Sequence, residues 1–275
     1  MGVVNVTPDS FYDGGFYLDP VRAIERALSL VADGADIVDV GGESTRPGSD
    51  PVPAEEEKRR VVPVIAALRE RTDALISVDT TKAEVAEAAL AAGASIVNDI
   101  SAGRFDPRML PLVAGSGAGL ILMHMQGTPK TMQINPHYED VVAEVKDFLA
   151  ERMEAALASG IRRECLVIDP GIGFGKTVDH NLLLLQNLSS FRELGRPVLV
   201  GVSRKSFIGR ILNLEPSERL EGTIAAAVLA LERGASLLRV HDLPAIKRAV
   251  TVAEAILGRT RSSGSPKGTQ TPYVH

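Results

Sequence analysis

Asp169 stands at the end of an apolar run and directly before a glycine-rich turn, in the stretch Leu166 to Lys176, LVIDPGIGFGK. The run is short enough for a buried parallel strand, and Pro170, Gly171, Gly173 and Gly175 turn the chain before a helical segment from Asp179. The C-terminal ends of buried strands are where α/β proteins hold ligands, so this carboxylate is a candidate acceptor. The arrangement recurs. Strand-like runs lead to Asn5, Asp39, Asp79, Asn98, Asp99, His124, Ser203 and Arg239, with Glu43, Lys205 and His241 close behind. Taken singly, an Asp after a strand reads as a helix cap or turn former, and His124 as a core imidazole. Taken together, acids, amides and bases at matching positions predict one polar site for a charged or heteroaromatic ligand.

Positioning these groups requires a regular scaffold, and the spacing predicts one. Apolar runs at Met1 to Thr7 (ending near Asn5), Ile37 to Val40, Leu75 to Val78, Ser95 to Val97, Leu120 to Met123, Leu166 to Ile168, Val198 to Val202 and Ser236 to Val240 read as strands. Helical patterns lie between them: Asp19 to Asp33, Glu55 to Arg69, Lys82 to Ala91, a short helix from Pro107, Glu139 to Ala158, one from Asp179, Leu220 to Arg233, and Leu243 to Leu257. Alternating strands and helices predict a parallel sheet with right-handed crossovers. Eight units in a chain of 275 residues suit a single (β/α)₈ barrel over residues 1–258. A doubly wound open sheet is the alternative. The segment 259–275, rich in Ser, Gly, Thr and Pro, is expected to be a disordered tail.

Composition excludes several classes. The net charge of −5, the absence of Trp and the lack of a basic run argue against a nucleic-acid surface. No run of about eighteen apolar residues and no charged-then-apolar leader is present, which predicts a soluble cytosolic protein. The lone Cys165 forms no intrachain disulfide and reads as structural filler. Two motifs nearly match and fail. Gly171 to Lys176 has Lys176 where a dinucleotide fingerprint needs its last glycine, and Pro170 replaces the first glycine of a P-loop, removing a backbone N–H. Neither an HExxH pattern nor a Cys cluster suggests zinc.

With these residues in view, the chain resembles the dihydropteroate synthases, the pterin-binding enzymes of folate biosynthesis, from Met1 to about Leu257. The resemblance rests on NVTPDSFYDGG at Asn5, GGESTRPGS at Gly41, SVDT at Ser77, VNDI at Val97, LMHMQGTP at Leu122, DPGIGFGK at Asp169, GVSRKSFIG at Gly201 and RVHD at Arg239. Family members commonly have a short lead-in before the first strand; its absence here is expected to leave the barrel bottom less plugged, or reflects a truncated start. The resemblance implies a TIM barrel that joins 4-aminobenzoate to (7,8-dihydropterin-6-yl)methyl diphosphate, releasing diphosphate and giving 7,8-dihydropteroate. By the same resemblance Asp79, Asn98, Met123, Asp169, Lys205 and Arg239 bind the pterin. Asn5, Arg239 and His241 hold the diphosphate, with Mg²⁺ as cofactor and Asn5 as a ligand to it. Thr45, Arg46, Pro47, Gly173, Phe174 and Ser206 form the 4-aminobenzoate pocket. Phe11 and Asp13 cover a pterin-stabilised cation, so that Asp13, Phe11, Arg46, Lys205 and Arg239 form the catalytic set. The resemblance also implies sulfonamide binding in place of 4-aminobenzoate and a homodimer.

Two other readings remain open on the residues. A methyltetrahydrofolate:corrinoid methyltransferase shares acids and amides at several strand ends but would not need SRKS and RVHD together with NVTPDSF. A non-catalytic pterin-binding module would be expected to lose some of Asn5, Lys205, Arg239 and His241, and all are present.

Overall fold

The computed structural model describes residues 1–7 and 20–259. Phe11 and Asp13, on the first loop, and the tail beyond Arg259 lie outside the described residues. The chain runs β1 (Gly2–Asn5), α1 (Pro20–Ala32), β2 (Ile37–Gly41), α2 (Ala54–Arg69), β3 (Leu75–Asp79), α3 (Ala83–Ala91), β4 (Ile96–Asp99), α4 (Met109–Ser116), β5 (Gly119–Met123) and α5 (Val141–Ala158). It continues with β6 (Leu166–Asp169), α6 (Val178–Gln186), β7 (Leu199–Val200), α7 (Ser206–Leu212), α8 (Leu220–Glu232), β8 (Leu237–Leu238) and α9 (Leu243–Ile256).

β1 to β6 pair in parallel in chain order, and β7 pairs with β8. Two single bridges join these pieces, Ile168 to Val198 and Gly2 to Val240. The N–H of Val3 donates to Val240 O at 3.2 Å, and that of Val240 to Met1 O at 3.0 Å. The eighth strand therefore returns to the first, and the sheet closes as a (β/α)₈ TIM barrel. A doubly wound sheet would reverse its strand order at a switch point, and this one does not.

β7 and β8 are shorter than the apolar runs that encode them. The carbonyl of Val198 accepts from both Ser236 N and Leu237 N, at 2.8 and 3.1 Å, so two residues of one strand face one of the other and the ladder breaks there. A short helix, α7, begins at Ser206 and precedes the larger α8 in the last crossover.

Period-two alternation divides the strand residues into two cores. Val4, Val38, Val40, Ile76, Val78, Val97, Leu120, Leu122, Ile168 and Val200 pack outward against helix residues such as Ala27, Leu30, Val61, Ile65 and Leu149. Met1, Ile37, Ile121 and Leu199, with Ile96, Val167 and Leu237 against them, form a separate plug inside the barrel. The plug fills its lower half with side chains, so a ligand can enter only from the other end. A cavity of about 570 Å³ opens under the plug at the N-terminal ends of the strands, beside α9, lined by Met1, Ile37 and Leu237 and by the charged Asp36, Lys247 and Glu254. No helix among the described residues is long and apolar enough to cross a membrane.

Candidate active site

Two residues beyond each apolar plug position, the same alternation delivers a residue to the upper barrel. Ile37 leads to Asp39, Ile96 to Asn98, Ile121 to Met123, Val167 to Asp169 and Leu237 to Arg239. One registered parallel sheet thus turns five separate strand ends into one constellation. Gly41, in β2, pairs with Asn5 on one side and Asp79 on the other. A Cβ there would lie 3.4 Å from Asp79 Cβ and 3.7 Å from Asn5 Oδ1, so glycine keeps the gap between those two side chains open.

Arg239 is the node. Its Nε donates to Asp39 Oδ2 and its Nη2 to Asp79 Oδ2, both at 2.7 Å. Asn98 Nδ2 donates to the same Asp39 oxygen at 3.2 Å. Burial disfavours the guanidinium's charge, but the carboxylates of Asp39, Asp79 and Asp169 outweigh it and raise its pKa. Burial pushes Asp79 up to about 7, against the pull of Arg239. Asp39 is fully buried and its Oδ1 has no hydrogen-bond partner among the described residues.

Asp169 is 5% exposed, and burial pushes it up to about 6. Its Oδ1 accepts the Gly171 N–H at 2.7 Å. Gly171 has φ +70°, and an added Cβ would sit 1.9 Å from His124 O, so no other residue fits this turn. Below the turn, Lys176 donates to His124 Nδ1 at 3.0 Å and Phe174 O at 2.9 Å. Burial lowers this lysine to about 7. Lys205 extends over the Phe174 ring, its Nζ 4.0 Å from the centroid. Burial, then the charge of Arg239, lowers Lys205 to about 8, which leaves it mostly protonated at neutral pH.

The far side of the cavity is built for an anion. Ser203 Oγ accepts the backbone N–H of His241 at 3.2 Å and lies 3.0 Å from His241 Nδ1. The hydroxyl, with one donor and two acceptor sites, therefore anchors both the backbone and the ring of His241. Burial and the charge of Arg239 lower His241 to about 4, so the imidazole is neutral. Arg204, in the left-handed region at φ 55°, forms a two-point ion pair with Asp242, and this ties the β7 and β8 loops together.

Asp79, Asn98, Asp169, Lys205, Ser203, Arg204, Arg239 and His241 border one cavity of about 750 Å³ at the C-terminal ends of the strands. Asn5, Thr45, Arg46, Pro47, Asp79, Asn98, Met123, Asp169, Gly173, Phe174, Lys205, Ser206, Arg239 and His241, all expected from the sequence, line it. Phe11 and Asp13 lie outside the described residues. Four other strand-end residues do not line the cavity, and each has a local reason. Asp39 lies beneath Arg239 as its counter-ion. Asp99 accepts from Ser101 N, Ser101 Oγ and Gly103 N within its own turn. His124 is buried against Lys176 and Phe148. Glu43 faces away to Lys82.

Several lining residues are not marked by their sequence positions: Thr7, Arg26, Met132, Ile172, Arg204, Arg219 and Asp242. Met132 comes from the irregular β5–α5 loop and packs with Ile100, Met123, Met125 and Phe174. No periodicity marks a loop residue that folds back, so its apolar character is the only signal the sequence carries.

Asn5 supplies one neutral oxygen, and among the described residues no group of three or more His, Cys, Asp or Glu could hold a metal ion. That donor set fits Mg²⁺ as an ion arriving on phosphate oxygens and water, not one caged by protein carboxylates.

The family model described as pterin binding enzyme matches residues 1–241, which spans every strand and the polar rim. The chain is 48% identical over 257 residues to the dihydropteroate synthase of Escherichia coli (strain K12), covering 94% of this chain and 91% of that protein. It is similar in structure to the Xanthomonas albilineans dihydropteroate synthase solved with 4-aminobenzoic acid (TM-score 0.88, 50% identity, 93% of this chain and 92% of that one). The Yersinia pestis dihydropteroate synthase in a sulfonamide drug complex matches with TM-score 0.89 and 44% identity, over 94% and 93% of the two chains. A barrel whose polar strand ends coincide with a match of this length leaves one assignment: the chain belongs to the pterin-binding enzymes, among the dihydropteroate synthases.

Proposed function

We propose that the cavity joins (7,8-dihydropterin-6-yl)methyl diphosphate to 4-aminobenzoate, with the pterin seated deep and the aminobenzoate at the mouth. The observation that carries the reading is the pairing of the buried acceptor Asp169 with the charged donors Lys205 and Arg239 across one cavity. A pterin presents an edge of N–H donors on one side and a carbonyl on the other. Asp169 accepts from that edge, Asp79 and Asn98 take the remaining ring heteroatoms, and Lys205 donates to the carbonyl. Met123 packs on the ring, and Arg239, already held flat by Asp39 and Asp79, borders its face.

In the reaction the methylene C–O bond breaks and its electron pair leaves with diphosphate. Arg239, with His241 beside it, stabilises the charge that grows there. Mg²⁺, when bound through Asn5 and the phosphate oxygens, would supply further neutralisation of the leaving group. The aromatic amine is neutral at pH 7, so it attacks the methylene cation without a strong base and then sheds one proton to water. Thr45, Arg46, Pro47, Gly173, Phe174 and Ser206 shape the aminobenzoate pocket, with Arg46 and the Ser206 hydroxyl at hand for the carboxylate. A sulfonamide competes there, a reading supported by the sulfonamide complex of the Yersinia pestis relative. By the family resemblance Phe11 and Asp13, outside the described residues, would cover the cation. The protein acts in the cytoplasm as a homodimer.

The test is diphosphate release from the pterin diphosphate in Mg²⁺, with and without 4-aminobenzoate. Release coupled to dihydropteroate and blocked by a sulfonamide is expected. Pterin binding without any release would reduce the chain to a binding module and overturn the proposal.

A further inference from the structure

The loop of residues 42–53 brings Thr45, Arg46 and Pro47 to the cavity; its tip bonds the β5–α5 loop, Gly48 N to Pro129 O and Asp50 to Lys130, and its two ends are held from α2 and α3. Glu43 Oε2 accepts the N–H of Val52 at 2.6 Å, so one carboxylate spans the loop from its start to its end. Lys82, just before α3, donates from Nζ to the same oxygen at 2.7 Å and to Glu57 Oε2 at 2.5 Å. Arg60, one turn further along α2, donates to Gly42 O at 2.8 Å. None of Glu43, Glu57 and Lys82 lines the cavity.

Glu57 is the informative member. It is 0% exposed, and its Oε1 has no partner among the described residues. A half-satisfied buried carboxylate costs stability, and an apolar side chain would pack at that point of α2 without the cost. What the charge achieves is a fixed place for one ammonium between α2, α3 and the loop.

We propose that Lys82 is a positioning residue for the reaction: anchored on Glu57, it holds Glu43 and through it Val52, and so sets the path on which Thr45 and Arg46 reach the aminobenzoate. This rests on the reading of the cavity given above. The pterin groups sit on strand ends, not on this loop, so the clamp acts on the second substrate.

The test compares the full chain with Lys82→Met, Lys82→Arg and the double variant Lys82→Met/Glu57→Gln. The double variant leaves no lone buried charge and keeps the question answerable if Lys82→Met does not fold. In the variants lacking the lysine, the KM for 4-aminobenzoate is expected to rise about tenfold while pterin affinity, by calorimetry, stays within about twofold. Hydrogen exchange at Val52 should quicken, and Lys82→Arg should restore both. Unchanged KM and exchange, or equal losses for both substrates, would overturn the proposal. If the wild-type chain forms no dihydropteroate, the reading of the cavity fails. The clamp is then judged on exchange alone: faster exchange at Val52 supports it and unchanged exchange overturns it.

Discussion

Arg239 carries one positive charge between two carboxylates, and that ratio governs how the pterin side of the cavity responds to protons. Asp79 is raised to about 7 and Asp169 to about 6, in each case chiefly by burial. A pterin needs both as acceptors, and the ionised form is present only above these values. Pterin affinity should therefore hold above pH 7 and weaken by up to about tenfold per unit as pH falls from 7 to 6. Below 6 it should fall more steeply, by up to about a hundredfold per unit, as the second carboxylate is protonated. Calorimetry between pH 5 and 8 would read this, and a flat profile would disprove it. Asp169→Asn keeps the shape, but replaces one acceptor oxygen with a donor facing the ligand's N–H groups. We expect at least about a hundredfold loss of pterin affinity, roughly 2.7 kcal/mol. Unchanged affinity would refute the assignment.

At the scale of elements, the strand ends hold the pterin and the loops hold the second substrate. Arg46→Ala should lower turnover with 4-aminobenzoate by at least about tenfold and leave pterin affinity nearly unchanged, as steady-state kinetics beside calorimetry would show. Equal losses would remove Arg46 from its loop role. The β6–α6 turn makes a different prediction, because Lys176 is 3% exposed and lowered to about 7. Between pH 8 and 10 the folded chain has released this proton, while an unfolded lysine near 10.5 still binds it. The unfolded state thus holds more protons, and Lys176 makes stability rise with pH in that window. Lys176→Met should reduce the slope by up to about 1.4 kcal/mol per pH unit, measured by urea unfolding at pH 8, 9 and 10. An identical slope in the variant would show that the buried lysine keeps its proton.

At the scale of the whole molecule, the barrel buries its own edges but leaves apolar side chains on the last crossover. Ile211, Leu212 and Leu229, on α7 and α8, are 54%, 45% and 46% exposed. We propose this face for the homodimer, although α9 also exposes Val252 and Ile256. Leu229→Glu should convert a dimer to a monomer in sedimentation at micromolar protein. A variant that stays dimeric would exclude the face, and a monomeric wild type would exclude the dimer.

Strand and helix order was legible because short apolar runs and amphipathic helices carry their periodicity in a few residues, and the alternation of eight units implied the barrel. The strand-end part of the cavity was legible for a related reason, while its loop residues, such as Thr45, Arg46 and Phe174, were expected only from the family resemblance. In a parallel barrel every strand points the same way, so the residue after each apolar run arrives at one rim whatever its partners are. The sequence could not say which of those residues face inward. Asp39 and Asp169 both stand on buried strands, yet one serves as a buried counter-ion and the other opens to the cavity. That choice depends on register and on how far each strand rises above the plug. Sequence could not separate Asp99 or His124 from the site either, since their partners, Ser101 and Gly103 for one and Lys176 for the other, are set by local turns and packing. The joining of Lys82 to Glu43 and Glu57, 39 and 25 residues away, is likewise a property of the closed barrel alone. Periodicity is a local quantity; the pairing of charges across crossovers is fixed only when the helices pack on the sheet.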